Sequence, residues 1–109
     1  MLYLGNAFSL QMVSSFPARI NVEEMTYEDF EALIWSIRHN LVINAIGHTD
    51  TMNVVNSILD SDFKPNRINI NLTNNDCLIV FQLIGGRLPE GATELPEGFK
   101  YKFIRVTLK

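Results

Sequence analysis

The chain has 109 residues, 47% of them hydrophobic, with nine lysines and arginines against twelve aspartates and glutamates. That length bounds it to one domain. The net charge of −3 and isoelectric point near 5.2 argue against a general nucleic-acid binder, whose affinity comes from basic residues neutralising phosphates. The single cysteine, Cys77, excludes an internal disulfide framework and a zinc site built on cysteine clusters.

The elements read in chain order as follows. Leu2-Tyr3-Leu4 is a short strand ended by Gly5-Asn6, and an irregular or single-turn segment, "AFSLQMV", follows. Residues 18–25, "ARINVEEM", alternate apolar and polar as a strand does. Thr26 with Asp29 three residues later resembles a capping box. Phe30, Leu33, Ile34 and Ile37 then recur at helical spacing, and Asn40 is a stop. Residues 41–46 are a buried strand, and a helix follows over about 50–59 with Met52, Val55 and Leu59 on one face and Val54 and Ile58 beside them. Residues 67–71, "RININ", alternate as a strand. The nearly continuous apolar run 77–84 reads as a central strand. A loop rich in Gly, Pro and Glu spans 85–98, and 99–108 is the last strand, with Phe99, Tyr101 and Phe103 opposite Lys100 and Lys102. Five or six strands with two interleaved helices predict a mixed sheet in a single α/β or α+β domain, residues 1–109. No apolar run approaches the ~18 residues of a membrane helix, so an intracellular protein is expected.

Charge is unevenly spread. Eight acids and one base, Arg38, lie between Glu23 and Asp62, whereas seven bases and four acids lie between Lys64 and Lys109. A small anionic ligand therefore remains compatible with the acidic total.

Three places could carry chemistry. The first is "IGHTDT", where a strand turns into a helix through Gly47 and His48. A helix start presents unpaired amides and the positive end of a dipole to an anion, and Gly47 lets a ligand approach the backbone. His48 would stand beside a bound phosphate, ready to protonate a leaving oxygen. The plainer reading is a histidine hydrogen-bonded at a turn, with Thr49 or Asp50 capping the helix. The second is "GGRLPEG", which puts Arg87, a planar permanent charge suited to phosphate, at the mouth of a central strand in a loop long enough to act as a lid. The alternative is a solvated hairpin loop. The third is "GNAFS", offering Asn6 and Ser9, where turn chemistry is the simpler explanation. His39, near a helix end, reads as structural, and Cys77 as a small buried apolar residue. No metal-ligand spacing, Walker loop or dinucleotide fingerprint is present, so if the protein is an enzyme the available chemistry is acid–base and electrostatic catalysis without a metal or cofactor.

Four segments, "LGNAFSLQM", "INAIGHTDTMNVVNSIL", "KPNRINI" and "RLPEG", resemble in order and spacing a family of small conserved proteins of crenarchaeal viruses. That family includes the type III anti-CRISPR ring nucleases. The resemblance spans about residues 2–91, and length and sequence are similar in particular to a member from an Acidianus filamentous virus. It implies a homodimer forming a cradle in the host cytoplasm. That dimer would cleave cyclic tetra-adenylate, without metal, to linear di-adenylate carrying a 2′,3′-cyclic phosphate, and so block type III CRISPR signalling. The family's catalytic positions fall on His48 as general acid, Arg87 as the stabiliser of phosphate charge, and Glu90. Its ring contacts fall on Asn6, Ser9 and Gln11, on Gly47, Asp50 and Thr51, and on Arg67 and Gln82. This sequence departs from the family pattern at Gln11, where asparagine is expected, and at Asp50, where a small hydroxyl residue is expected. Pro89 stiffens the loop, and 92–98 is shorter than in some relatives.

The competing expectation is a non-enzymatic DNA- or RNA-binding dimer. Its basic patch would combine Lys64, Arg67, Arg87, Lys100, Lys102 and Arg105. A protein-binding inhibitor without catalysis is a third reading.

Overall fold

The computed structural model describes residues 1–109. Strand β1 (Leu2–Gly5) is followed by a single 3-10 turn (Leu10–Met12) and by β2 (Ile20–Glu24). Helix α1 (Tyr27–Arg38), β3 (Val42–Asn44), α2 (Thr49–Leu59), β4 (Cys77–Ile84) and β5 (Lys100–Leu108) complete the chain. The five strands form one mixed sheet in the order β2-β5-β4-β1-β3. β1 lies between β3 and β4 and runs parallel to both, while β5 is antiparallel to β4 and β2. The mixed α+β class expected from sequence is therefore the fold found, with the continuous apolar strand β4 at the centre of the sheet.

Local chemistry sets the helix limits. At the start of α1 the Thr26 hydroxyl accepts from the Asp29 amide at 3.2 Å, and the Asp29 carboxylate accepts from the Thr26 amide at 3.0 Å. That is the reciprocal box the sequence predicted. At its end Asn40 takes a left-handed φ of 57°, with Asn40 N–H on Ile37 O and Leu41 N–H on Ser36 O. This pair of bonds satisfies carbonyls the last turn leaves open. His39 stacks on Trp35 at 4.0 Å and bonds the Trp35 carbonyl through Nδ1 at 2.8 Å, a structural role.

Both helices pack on one sheet face. Leu33 of α1 and Met52, Val54, Val55 and Leu59 of α2 join Leu4, Ile79, Phe81 and Phe103 in a buried cluster. Each such side chain contributes about 1.5–3 kcal/mol by leaving water. Phe30, Phe81, Tyr101 and Phe103 interlock there at centroid distances of 5.1–6.0 Å.

The opposite face is covered without a helix. Val13, Ile70 and Leu72 pack on Leu78, Val80, Val106 and Leu108. This corrects one expectation: residues 67–71 form no strand of the sheet. Both sides of β4 are already paired, and the segment touches the ladder system only through the isolated bridge Val13–Leu72. Its alternation holds only in part, with Ile70 and Leu72 buried and Asn69 and Asn71 exposed but Ile68 exposed as well. Period two marked burial on one side, which an extended cover segment shares with a strand.

Because β1, β3 and β4 are parallel, their carboxyl ends open at one edge of the sheet. At that end of the sheet β1 lies between β3 and β4. Parallel sheets bind ligands at such a point, outside the carboxyl ends of the strands.

Candidate active site at the strand ends

Asn6 follows β1, Gly47 and His48 follow β3, and Arg87 follows β4. Asn6, His48 and Arg87 meet at a cleft of about 630 Å³. Its polar walls are Asn6, His48, Asp50, Thr51, Arg87 and Glu90, and Phe81, Leu83 and Leu88 supply apolar surface. Six of the residues singled out from sequence are thus brought together from three separate segments.

His48 is the N-cap of α2, with extended backbone (φ −93°, ψ 127°), and its carbonyl accepts from the Met52 amide at 3.0 Å. Its side chain is exposed and makes no cap hydrogen bond. The expectation that Thr49 or Asp50 caps the helix is corrected: both belong to its first turn. As a result the amides of residues 47–51 make no hydrogen bond within the protein. α1, closed by its Thr26–Asp29 box, offers no such set. A run of unpaired amides at the positive end of a helix dipole favours an anion, and His48 projects beside it.

Gly47 has a purpose the sequence left unstated. A Cβ there would overlap Arg67 Cγ and lie 3.3 Å from its Cδ and Nε. The absence of a side chain admits the arginine stem across the start of α2. Arg67 is brought there by a buried asparagine. Asn44 Nδ2 donates to Ile46 O at 3.3 Å and Lys64 O at 2.8 Å, and its Oδ1 accepts from the Ile46 amide at 3.0 Å. Asn66 returns the contact, its amide on Ile46 O and its Nδ2 on Asn44 O, both at 2.8 Å. The "KPNR" segment is thereby stitched to the end of β3. Sequence reasoning missed Asn44, although a polar residue inside an apolar strand run was its signal.

A second depression of about 410 Å³ shares Asn6 and His48 with the cleft and adds Gly47, Arg67 and Asn69. Ser9 and Gln11 lie in a third, of about 330 Å³, with Asn69 and Asn71. Ser9 also caps the 3-10 turn, its Oγ accepting from the Gln11 amide at 3.3 Å. Gln82 is not brought to the cleft. It pairs with Lys102 across the ladder, on the sheet face opposite Phe81 and Leu83.

Asp50 reaches away from its own helix. Its Oδ2 accepts from the Gly91 amide at 3.0 Å, across 41 residues of sequence.

The basic residues do not form a single stripe. Lys100 and Lys102 share a face with Gln82, whereas Arg105 lies on the other face of β5, beside Asp29 and Cys77. Burial pushes the half-buried Cys77 thiol up, with Arg105 pulling the other way, which disfavours the reactive thiolate.

The relatives are viral. The chain is 32% identical over 91 residues to uncharacterized protein 26 of Sulfolobus islandicus filamentous virus, covering 84% of this chain and 74% of that one. It is 30% identical over 89 residues to uncharacterized protein ORF116 of Acidianus filamentous virus 1, covering 82% and 73%. Among solved structures, B116 of Sulfolobus turreted icosahedral virus superposes with a TM-score of 0.81 at 31% identity, covering 97% of both chains. The family model described as STIV B116-like matches residues 2–105, and the chain belongs to that family.

Proposed function

We propose that this protein is a metal-independent ring nuclease that opens cyclic tetra-adenylate and so silences a type III CRISPR alarm. The observation that carries this reading is the cleft itself. Five consecutive unpaired amides, an exposed imidazole and the Arg87 side chain line or flank one space of about 630 Å³. Those are the parts an in-line phosphodiester cleavage needs.

In the proposed step a phosphate settles against the start of α2. The adjacent ribose 2′-oxygen attacks phosphorus, its proton passing to solvent. The new 2′-O–P bond forms as the P–O5′ bond breaks. His48 gives a proton to the departing 5′-oxygen. The products are a 5′-hydroxyl and a 2′,3′-cyclic phosphate. Arg87 neutralises charge growing on the non-bridging oxygens, a contribution of about 10²–10³ in rate for one positioned donor. Asn6, Thr51 and Arg67 hold the rest of the ring. A two-fold dimer would set two such clefts against opposite phosphates of the four-fold ring and yield two di-adenylates.

The test is incubation of the protein with labelled cyclic tetra-adenylate in EDTA, with products separated by chromatography. Di-adenylate ending in a 2′,3′-cyclic phosphate is the expected result. An intact ring after prolonged incubation with excess protein would overturn the proposal.

The division of Lys100 and Lys102 from Arg105 between the two faces of β5 disfavours the alternative of a duplex-binding dimer. Binding to a duplex would also weaken steeply with salt, because many phosphates are neutralised at once.

A further inference from the structure

The segment between β4 and β5 carries Arg87 and Glu90 to the cleft, yet little ties it down. Within residues 86–98 the hydrogen bonds are local, Ala92 N–H on Pro89 O at 3.2 Å, with Phe99 N–H on Pro96 O at 3.1 Å beside its end. Leu88, Ala92 and Leu95 pack on the helical-side core. A single hydrogen bond joins the segment to the body of the molecule, from the Gly91 amide to Asp50 Oδ2 at 3.0 Å. Gly91 has a φ of 80°, a backbone state that L side chains rarely take.

The Asp50 side chain makes this hydrogen bond and no other. A carboxylate in the first turn of a helix is favoured by the dipole and commonly accepts from its own helix amides. Here it accepts from the opposite wall of the cleft, leaving the α2 amides unpaired.

We infer that Asp50 is a positioning residue. Through the Gly91 amide it holds residues 86–98, and with them Arg87 and Glu90, against the start of α2 where His48 stands. What it contributes is an acceptor oxygen rather than a negative charge. The consequence for catalysis rests on the nuclease reading, but the tether itself does not. Losing one solvent-accessible hydrogen bond shifts an open–closed balance by about three- to tenfold.

Two variants separate the possibilities. Asp50→Ala removes the acceptor, whereas Asp50→Asn keeps a carbonyl oxygen in the same place and removes the charge. Amide hydrogen exchange of the ligand-free proteins reads the tether directly. Exchange at Gly91 and at Ala92 is expected to accelerate about three- to tenfold in Asp50→Ala and to be restored in Asp50→Asn. Single-turnover cleavage of cyclic tetra-adenylate is expected to fall by a similar factor in Asp50→Ala, with Asp50→Asn recovering most of the loss. Unchanged exchange in Asp50→Ala would overturn the tether. Cleavage as poor in Asp50→Asn as in Asp50→Ala, with Gly91 still protected, would show that the charge is what matters. If the wild-type protein opens no ring, the nuclease reading fails, and the exchange experiment still decides the tether.

Discussion

The side chain of Arg67 crosses residue 47 so closely that any Cβ there would overlap its Cγ. Gly47 does not carry a positive φ, so its backbone tolerates alanine and only this contact opposes the change. Gly47→Ala should therefore push Arg67 away from the start of α2, at a stability cost of about 1–2 kcal/mol. In the Arg67→Ala background the same substitution should cost almost nothing. A double-mutant cycle by urea unfolding measures this coupling, and additive effects would show that Arg67 does not rest on Gly47.

The same pair shows how far the sequence could be read. The strand-to-helix junction was legible because Gly47, His48 and the first turn of α2 are consecutive, and local spacing sufficed. Arg67 could not be placed that way. Its position depends on Asn44 bonding the Lys64 carbonyl 20 residues away, and on the Asn66 side chain bonding back. The Asp50–Gly91 contact is likewise long-range, and in sequence Asp50 read as a cap. Gln82 illustrates the opposite limit. Its place between Phe81 and Leu83 already put it on the other face of β4. The strands β4 and β5 and both helices were legible to within a residue or two, because burial writes a clear period on them. The segment 67–71 carried the same period without joining the ladder.

Acid should weaken the fold through Asp76. The Thr73 amide, donating at 2.8 Å, holds its carboxyl below the usual range, aided by the Thr73 hydroxyl at 3.0 Å and the Met1 ammonium at 3.0 Å, while burial opposes them. A carboxyl depressed in the folded state stabilises fully above its unfolded value, near ~3.9, and that stability is lost as pH falls through the folded value. Asp29, lowered chiefly by the Thr26 amide, acts in the same direction. Urea midpoints should be level in this respect from about pH 5 to 7 and fall below about pH 4. Asp76→Asn should cost about 1–3 kcal/mol at neutral pH, with the gap from wild type closing toward pH 2. A gap that stays constant with pH would contradict this assignment.

Cys77 should be a silent thiol. Burial raises it, so the thiolate needed for alkylation is scarce in the folded protein. Modification at pH 8 should proceed several-fold more slowly in native protein than in denaturant, and a native rate equal to the unfolded rate would refute the burial argument.

Arg87 should be needed as a fork rather than as a charge. Arg87→Lys keeps the charge and loses bidentate geometry, so ring cleavage should remain well below wild type, close to Arg87→Ala, with the loss of about 10²–10³ appearing in turnover. Full activity in the lysine variant would mean that a point charge suffices.

The most direct measurement is single-turnover cleavage of labelled cyclic tetra-adenylate in EDTA by wild type and His48→Ala, with ring affinity measured alongside. The alanine variant should keep its fold and bind the ring through the α2 amides and Arg67, yet cleave about 10²–10⁴-fold more slowly. Cleavage by His48→Ala at the wild-type rate would remove the histidine from the chemistry and leave it the N-cap of a helix.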